Sequence, residues 1–182
     1  MIRKCTEADF SAIYRIINDA AQAYKGIIPE DRWQEPYMSK EELAHEIADG
    51  ILFWGLERDQ RLMGVMGMQH KGDVDLIRHA YVRSENQKQG VGTALLRFLE
   101  SKTEKPILVG TWAAATWAIT FYQRNGYRLL SEAEKNHLLR RYWTVPERQM
   151  ETSVVLVNRG SNWNLTPYTL KRKFMMSPSF TG

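Results

Sequence analysis

An α/β fold, a sandwich of helices on a mixed sheet in three layers, is what this 182-residue sequence predicts. Three observations carry the expectation. Two helix-patterned stretches come before the first long strands. A stretch with two glycines, Gln87-Lys88-Gln89-Gly90-Val91-Gly92, turns the third of those strands directly into a helix. Beyond it, short strands and helices alternate as far as residue 157.

The elements follow in order. "MIRKC" has the character of a short first strand. Thr6-Glu7-Ala8-Asp9 has the form of a capping box, a hydroxyl followed three residues later by a carboxylate. Behind it Phe10, Ile13, Ile16, Ile17, Ala20 and Tyr24 recur at helical spacing, which predicts an amphipathic helix over 7–24. Gly26, Pro29 and Pro36 break that pattern. Ser39-Lys40-Glu41-Glu42 is a second capping pattern, and Leu43 and Ile47 start a helix that ends near Gly50. "ILFWGLE" and "RLMGVMGMQ", separated by Arg58-Asp59-Gln60, form an antiparallel hairpin, and "VDLIRHAYV" is a third strand. In "GVGTALLRFLE" the stripe Val91, Leu95, Phe98, Leu99 predicts a helix. "PILVGT" is a short buried strand, "WAITFYQRN" a helix stopped by Gly126, and "YRLL" and "ETSVVLV" are strands with a polar connector, 131–150, between them. Residues 1–157 are expected to be one domain and 158–182 a loosely docked tail.

Composition narrows the function classes. Cys5 is the single cysteine, so the chain can form no internal disulfide, which fits a reducing, cytoplasmic setting. No stretch approaches the ~18 apolar residues of a membrane span. The net charge of +4 is carried after Glu151, by Arg159, Lys171, Arg172 and Lys173. Four tail charges are few for a nucleic-acid partner, and a solvated tail is the expectation.

The strand-to-helix junction carries chemistry. The first N–H groups of a helix have no intrahelical partner and lie at the positive end of its dipole. Gly90 and Gly92 keep side chains out of an anion's way, Lys88 adds charge, and Thr93 adds a hydroxyl. The purely structural alternative is a turn that needs glycine for its geometry. Neither familiar nucleotide loop fits: no G-x-x-x-x-G-K-[ST] is present, and Leu95 stands where the dinucleotide fingerprint places its third small residue.

A second segment, "AITFYQRNGY", follows some thirty residues later. Together the two resemble the GNAT superfamily of acetyl-CoA-dependent N-acetyltransferases, through Gln87, Gly90 and Gly92 in the first motif and Ala118, Phe121, Tyr122, Gly126 and Tyr127 in the second. The resemblance covers about residues 1–157. It implies a three-layer α/β/α fold on a mixed, mostly antiparallel sheet, with acetyl-CoA as co-substrate and no metal. It places Gln87, Lys88, Gln89, Gly90, Val91, Gly92 and Thr93 at the pyrophosphate, and gives Tyr81 and Val82 the backbone N–H that meets the thioester oxygen. Tyr122 matches the family's acid for the departing thiolate; its alternative is a buried ring on a helix face. Ala115 departs from the family's usual Asn, so that contact is either lost or supplied by Thr111 or Thr116.

Direct attack by an amine needs the neutral form, and a lysine-like amine near pKa 10.4 is neutral in roughly 1 in 2,500 molecules at pH 7. His79, Asp75, Glu30, Glu35 and His45 are the candidate bases, with structural roles as the alternative for each. The acceptor side implied by the resemblance is the connector 24–38, with Tyr24, Trp33 and Tyr37, and the segment 131–150, with Tyr142, Trp143, Pro146 and Arg148. Glu30, Asp31 and Glu35 would attract a cationic amine; Arg32 and Arg148 would hold a carboxylate. The expected function is acetyl transfer to a primary amine of a small molecule or peptide, with no nucleic-acid or membrane partner and a homodimer left open. The rival is a non-catalytic acyl-CoA-binding module on the same fold.

Overall fold

The structure, a computed structural model, describes residues 1–158. Seven strands form one sheet: β1 (Ile2–Lys4), β2 (Leu52–Arg58), β3 (Arg61–Lys71), β4 (Val74–Val82), β5 (Ile107–Trp112), β6 (Tyr127–Leu129) and β7 (Ser153–Asn158). Six α-helices accompany them: α1 (Phe10–Ala20), α2 (Lys40–Ala48), α3 (Val91–Glu100), α4 (Thr116–Arg124), α5 (Glu132–Tyr142) and α6 (Glu147–Glu151). Strand β7 runs one residue past the expected boundary at 157; residues 159–182 of the expected tail lie outside the described residues. Among the described residues no helix is long and apolar enough to cross a membrane.

The expected three-layer fold is present. The sheet order is β1-β2-β3-β4-β5-β7-β6, and every neighbouring pair is antiparallel except β4 and β5. Period-2 alternation sends Met66, Met68, Ile77, Ile107, Val109 and Leu156 into one core with Val91, Leu95, Leu96 and Leu99 of α3. On the opposite face Ile13, Ile16 and Ile17 of α1 and Leu43 of α2 pack on Phe53 and Val65. Leu138, Leu139 and Tyr142 of α5 cover Val74, Leu76, Leu108, Val155 and Val157 there.

Local chemistry sets the boundaries. The helix expected over 7–24 is α1 with a 3-10 turn at each end, Glu7–Asp9 and Ala21–Tyr24. Thr6 N donates to Asp9 Oδ2 at 2.8 Å, and Glu42 N donates to Ser39 Oγ at 3.0 Å. The hairpin turn holds Asp59 and Gln60 at φ 48° and 58°, the left-handed pair that matches the twist of its strands. The polar connector expected over 131–150 is instead largely helical. Ser131 and Glu134 cap the start of α5 reciprocally, Ser131 N donating to Glu134 Oε2 at 2.9 Å.

Two irregularities in β4 position the site. Val65 pairs with Tyr81 but Gly67 with Arg78, so His79 and Ala80 together oppose Met66 in a bulge, with His79 at φ 50°. Gly67 permits the close approach: a β-carbon there would lie 2.8 Å from the Arg78 carbonyl oxygen. Past the bulge β4 and β5 part. Their pairing ends at Ile77 and Val109, after which β4 stays with β3 and β5 with β7.

Candidate active site

The gap between the parting strands is a cleft of about 200 Å³. Its walls include Ile77, His79, Ala80 and Tyr81 from β4, Val109 to Trp112 from β5, and Ala118 and Tyr122 from α4. Tyr24 and Tyr37 reach it from the α1–α2 connector, and Trp143, Val145 and Gln149 from the chain around α5 and α6. The two segments expected on the acceptor side are thus brought together here. Trp33, Tyr142, Pro146 and Arg148 are not part of the lining: Trp33 stacks on Tyr37 at 5.7 Å, and the Tyr142 hydroxyl donates to Asp73 at 2.6 Å.

At one end of β4 lies the glycine junction. Gly90, at φ 78°, is the N-cap of α3, and no atom lies within 4 Å of where its β-carbon would be. Lys88 is also left-handed, at φ 61°. The first bond of α3 runs from Ala94 N to Gly90 O at 2.9 Å, so the N–H groups of Val91, Gly92 and Thr93 precede the intrahelical ladder. Gln87, Lys88, Gln89, Gly90 and Thr93 are exposed around them. Gln89 secures the turn by donating to Glu85 O at 3.1 Å. Val91 differs: its side chain is buried in the core, leaving only its backbone available to a ligand. A β-carbon on Gly92 would face Phe121 Cζ at 3.4 Å rather than the open side of the loop. N–H groups without an intrahelical partner and an open cradle with a lysine fit a pyrophosphate.

Phe121 links this loop to the cleft, since the next residue on α4 is Tyr122. Tyr122 is 5 % exposed and packs its ring on Phe121 and Tyr127 at 5.0 and 5.5 Å. Burial pushes its phenol well above the ordinary tyrosine value, with Tyr24 adding to the effect, so it holds its proton through neutral pH. Ala115, fully buried beside Ile28 and Trp112, offers no side-chain contact to a ligand. Thr111 lines the cleft and shares a hydrogen bond with Tyr24; Thr116 is exposed at the first turn of α4 and does not line it.

Tyr24, Tyr37 and Tyr81 form a phenol cluster. Tyr81 shares hydrogen bonds with both of the others, and Trp112 Nε1 donates to Tyr37 at 3.1 Å. Burial raises all three phenols, Tyr24 to about 12. Tyr81 and Val82 both lie beyond the parting point, and Tyr81 lines the cleft while Val82 approaches Gly92.

Of the candidate bases, His79 alone lines the cleft. Its Nε2 lies 3.0 Å from Glu46 Oε2, and its ring stacks on Phe53 at 6.0 Å. Asp75 is fully buried, with Oδ1 2.6 Å from His70 Nδ1. Glu30 and His45 are exposed away from the lining, and Glu35 pairs with Lys25 at 3.2 Å. Outside this lining Arg148 donates to both oxygens of Asp31, at 2.7 and 3.0 Å, so the acid and base expected to attract opposite ligands instead neutralise each other. Among the described residues no three His, Cys, Asp or Glu side chains group as a metal site would.

Sequence reasoning missed Glu46. The bulge turns the consecutive residues Arg78 and His79 to the same side, and Arg78 Nη2 donates to Glu46 Oε2 at 2.8 Å. Burial would raise the Glu46 carboxyl, but the His79 hydrogen bond and the Arg78 charge outweigh it and hold it below the ordinary range. A usable signal existed: Glu46 follows the fully buried Leu43 by three residues and so shares its face of α2. Gln149 and Ala118 were also missed as wall residues.

Residues 18–140 match the family model described as "Acetyltransferase (GNAT) domain". Among solved structures, an N-acetyltransferase, PaiA, from Thermoplasma acidophilum in complex with coenzyme A is 20% identical, covers 87% of this chain and 97% of its own, and superposes with a TM-score of 0.64. The ribosomal-protein-S18-alanine N-acetyltransferase of Escherichia coli is 19% identical over 91% of this chain and 98% of its own, TM-score 0.62. N-acetylglutamate synthase of Neisseria gonorrhoeae, complexed with coenzyme A and N-acetyl-glutamate, is 21% identical over 87% of this chain and 34% of its own, TM-score 0.59. A comparison with curated proteins finds no match.

Proposed function

This chain belongs to the GNAT acetyltransferase family, and from that premise we propose that it transfers the acetyl group of acetyl-CoA directly to a primary amine of a small molecule or peptide in the β4–β5 cleft. One observation carries the reading: the contact of Gly92 with Phe121 brings an anion cradle at the start of α3 next to a buried, protonated tyrosine on the cleft wall.

The residues divide the work. The N–H groups of Val91, Gly92 and Thr93, with Lys88, hold the pyrophosphate. The parting of β4 from β5 leaves backbone along Tyr81 and Val82 to donate to the thioester oxygen as negative charge grows there. The neutral amine attacks the carbonyl carbon, so that a C–N bond forms and the C–S bond breaks. Tyr122 gives its proton to the departing sulfur. The acylated nitrogen loses one proton to solvent, and the phenolate takes one back from solvent, which restores the enzyme. Amide and CoA thiol are the products, and no enzyme-bound acyl group is required.

The test is release of CoA thiol when the protein is mixed with acetyl-CoA and a panel of amines, with the acetylated product identified by mass spectrometry. Thiol release that depends on the amine supports transfer. Acetyl-CoA binding with no amine-dependent release from any member supports the non-catalytic binding module, the reading that the buried Ala115 favours.

A further inference from the structure

We propose that Glu46, on α2, is a positioning residue for acetyl transfer: it fixes His79 in the tautomer whose Nδ1 takes the proton of the attacking amine. This rests on the N-acetyltransferase reading and adds to it the route by which that proton leaves for solvent.

The tautomer follows from the hydrogen bonds. Glu46 Oε2 accepts from Arg78 Nη2 at 2.8 Å and lies 3.0 Å from His79 Nε2. Burial works against the Glu46 charge, but the His79 hydrogen bond and the Arg78 charge keep the carboxylate ionised. An ionised carboxylate only accepts, so Nε2 carries the hydrogen. A neutral imidazole has one N–H, which leaves Nδ1 as a lone pair. Among the described residues Nδ1 has no hydrogen-bond partner, and His79 lines the cleft.

The backbone is bent to put the ring there. His79 holds a left-handed conformation, φ 50°, inside the β4 bulge. Plain strand alternation would send Arg78 and His79 to opposite faces; the bulge lets both reach Glu46. Strain of this kind persists where the surroundings over-determine it. Phe53 of β2 stacks on the ring at 6.0 Å, and Arg78 Nη1 donates to Gln69 Oε1 at 3.0 Å. Gln69, buried on β3, donates in turn to Asp49 O at 2.9 Å and Oδ2 at 2.8 Å, at the C-cap of α2. The helix that carries Glu46 is thereby tied to the strands that present His79. An ion pair of Arg78 with Glu46 alone would need no strained histidine from the cleft wall.

In the reaction the lone pair of the amine forms the C–N bond, and the nitrogen then carries a surplus proton. Nδ1 accepts that proton, and the electrons of the broken N–H bond stay on the amide nitrogen. The imidazolium faces the Glu46 carboxylate, which offsets its charge, and Nδ1 later releases the proton to solvent. Tyr122 acts separately, on the sulfur. The charged groups around the ring are Glu46 and Asp49 from α2 and its cap, Arg78 from β4, and Lys71 from β3, 3.6 Å from Asp49. The cleft phenols of Tyr24, Tyr37, Tyr81 and Tyr122 stay neutral beside it.

The test has two arms. Long-range proton–nitrogen correlation spectra of the isotope-labelled protein need no acceptor. They should show His79 with Nε2 protonated and Nδ1 bare when the ring is neutral; an Nδ1–H tautomer would overturn the proposal. The second arm measures kcat against pH with acetyl-CoA and benzylamine, phenylalanine amide, lysine amide or glycine amide. The expected result is an acid limb at one pH for every amine that reacts. Glu46→Gln keeps the side chain's shape, removes its charge and leaves Arg78 uncompensated. The limb should move to lower pH, and plateau kcat should fall by at least about tenfold with acetyl-CoA affinity unchanged. A limb that follows the pKa of each amine, or a lower kcat in the variant with the limb unmoved, would overturn the positioning role. Amine-independent thiol release, or none, would instead remove the transferase reading beneath it, a failure that the spectra tell apart from a wrong tautomer.

Discussion

A β-carbon on Gly92 would stand 3.4 Å from Phe121 Cζ, so the helix that opens the anion loop comes close to the helix that carries Tyr122 at this residue pair. That spacing is ordinary van der Waals contact, and a methyl group fits it. Gly92→Ala should fold with an unchanged melting temperature and bind acetyl-CoA within about threefold of wild type. Gly90→Asp, at the N-cap where no atom lies within 4 Å of the β-carbon, brings a carboxylate that competes for the same helix N-terminus, and binding should weaken by at least about tenfold. Calorimetric titration of both folded variants checks this; unchanged affinity in the Asp variant would remove the loop from the cofactor site.

Lys88 holds a left-handed backbone conformation with a side chain, at φ 61°, while exposed beside the cradle. Strain of this kind costs about 1 kcal/mol and persists where function maintains it. Lys88→Gly should therefore raise stability by about 0.5–1 kcal/mol in urea denaturation while weakening acetyl-CoA binding. Stability and affinity moving in the same direction would contradict a functional strain.

Tyr122→Phe keeps the ring against Phe121 and Tyr127 and deletes the proton donor. The cost should fall on kcat, about 10²–10⁴-fold, with acetyl-CoA affinity little changed. The loss should shrink for acyl donors with more acidic thiols, whose leaving groups need less help. Wild-type kcat in the Phe variant, with chemistry shown to limit the rate, would return Tyr122 to a packing role.

Acid stability turns on Asp9. Arg3 donates to both of its oxygens, at 2.8 and 2.9 Å, and Thr6 N adds a third bond at 2.8 Å. The Arg3 hydrogen bonds, against some burial and with help from Thr6, hold the carboxyl well below the carboxylate range. Its folded pKa lies below its unfolded value near 3.9, so the contribution is fully present above about pH 5 and lost as pH falls. Asp9→Asn should cost about 1–3 kcal/mol at pH 7 and flatten the loss of stability between about pH 5 and pH 2. Denaturation midpoints across that range check it; parallel curves for the two proteins would contradict the assignment.

What the sequence made legible followed local rules. The caps at Thr6 and Ser39, the 3.6-residue stripe of α3 and the glycines before it each depend on neighbours a few positions away. The Ser131-Glu132-Ala133-Glu134 cap was equally local, and its polar surroundings masked the helix that Leu138, Leu139 and Tyr142 bury. The bulge at His79 was not legible, because it is a relation between two strands: β4 gains a residue only when counted against β3. Glu46 and the acceptor walls depend in the same way on segments far apart in sequence. So does the neutralisation of Asp31 by Arg148, 117 residues away.

Direct transfer demands that acetyl-CoA and the amine occupy the cleft together. The most direct test is an initial-velocity matrix in which both substrates are varied. Double-reciprocal plots should intersect, the signature of a ternary complex. Parallel lines, with acetylated protein detected when acetyl-CoA is supplied alone, would show a covalent ping-pong route and contradict attack by the amine on the bound thioester.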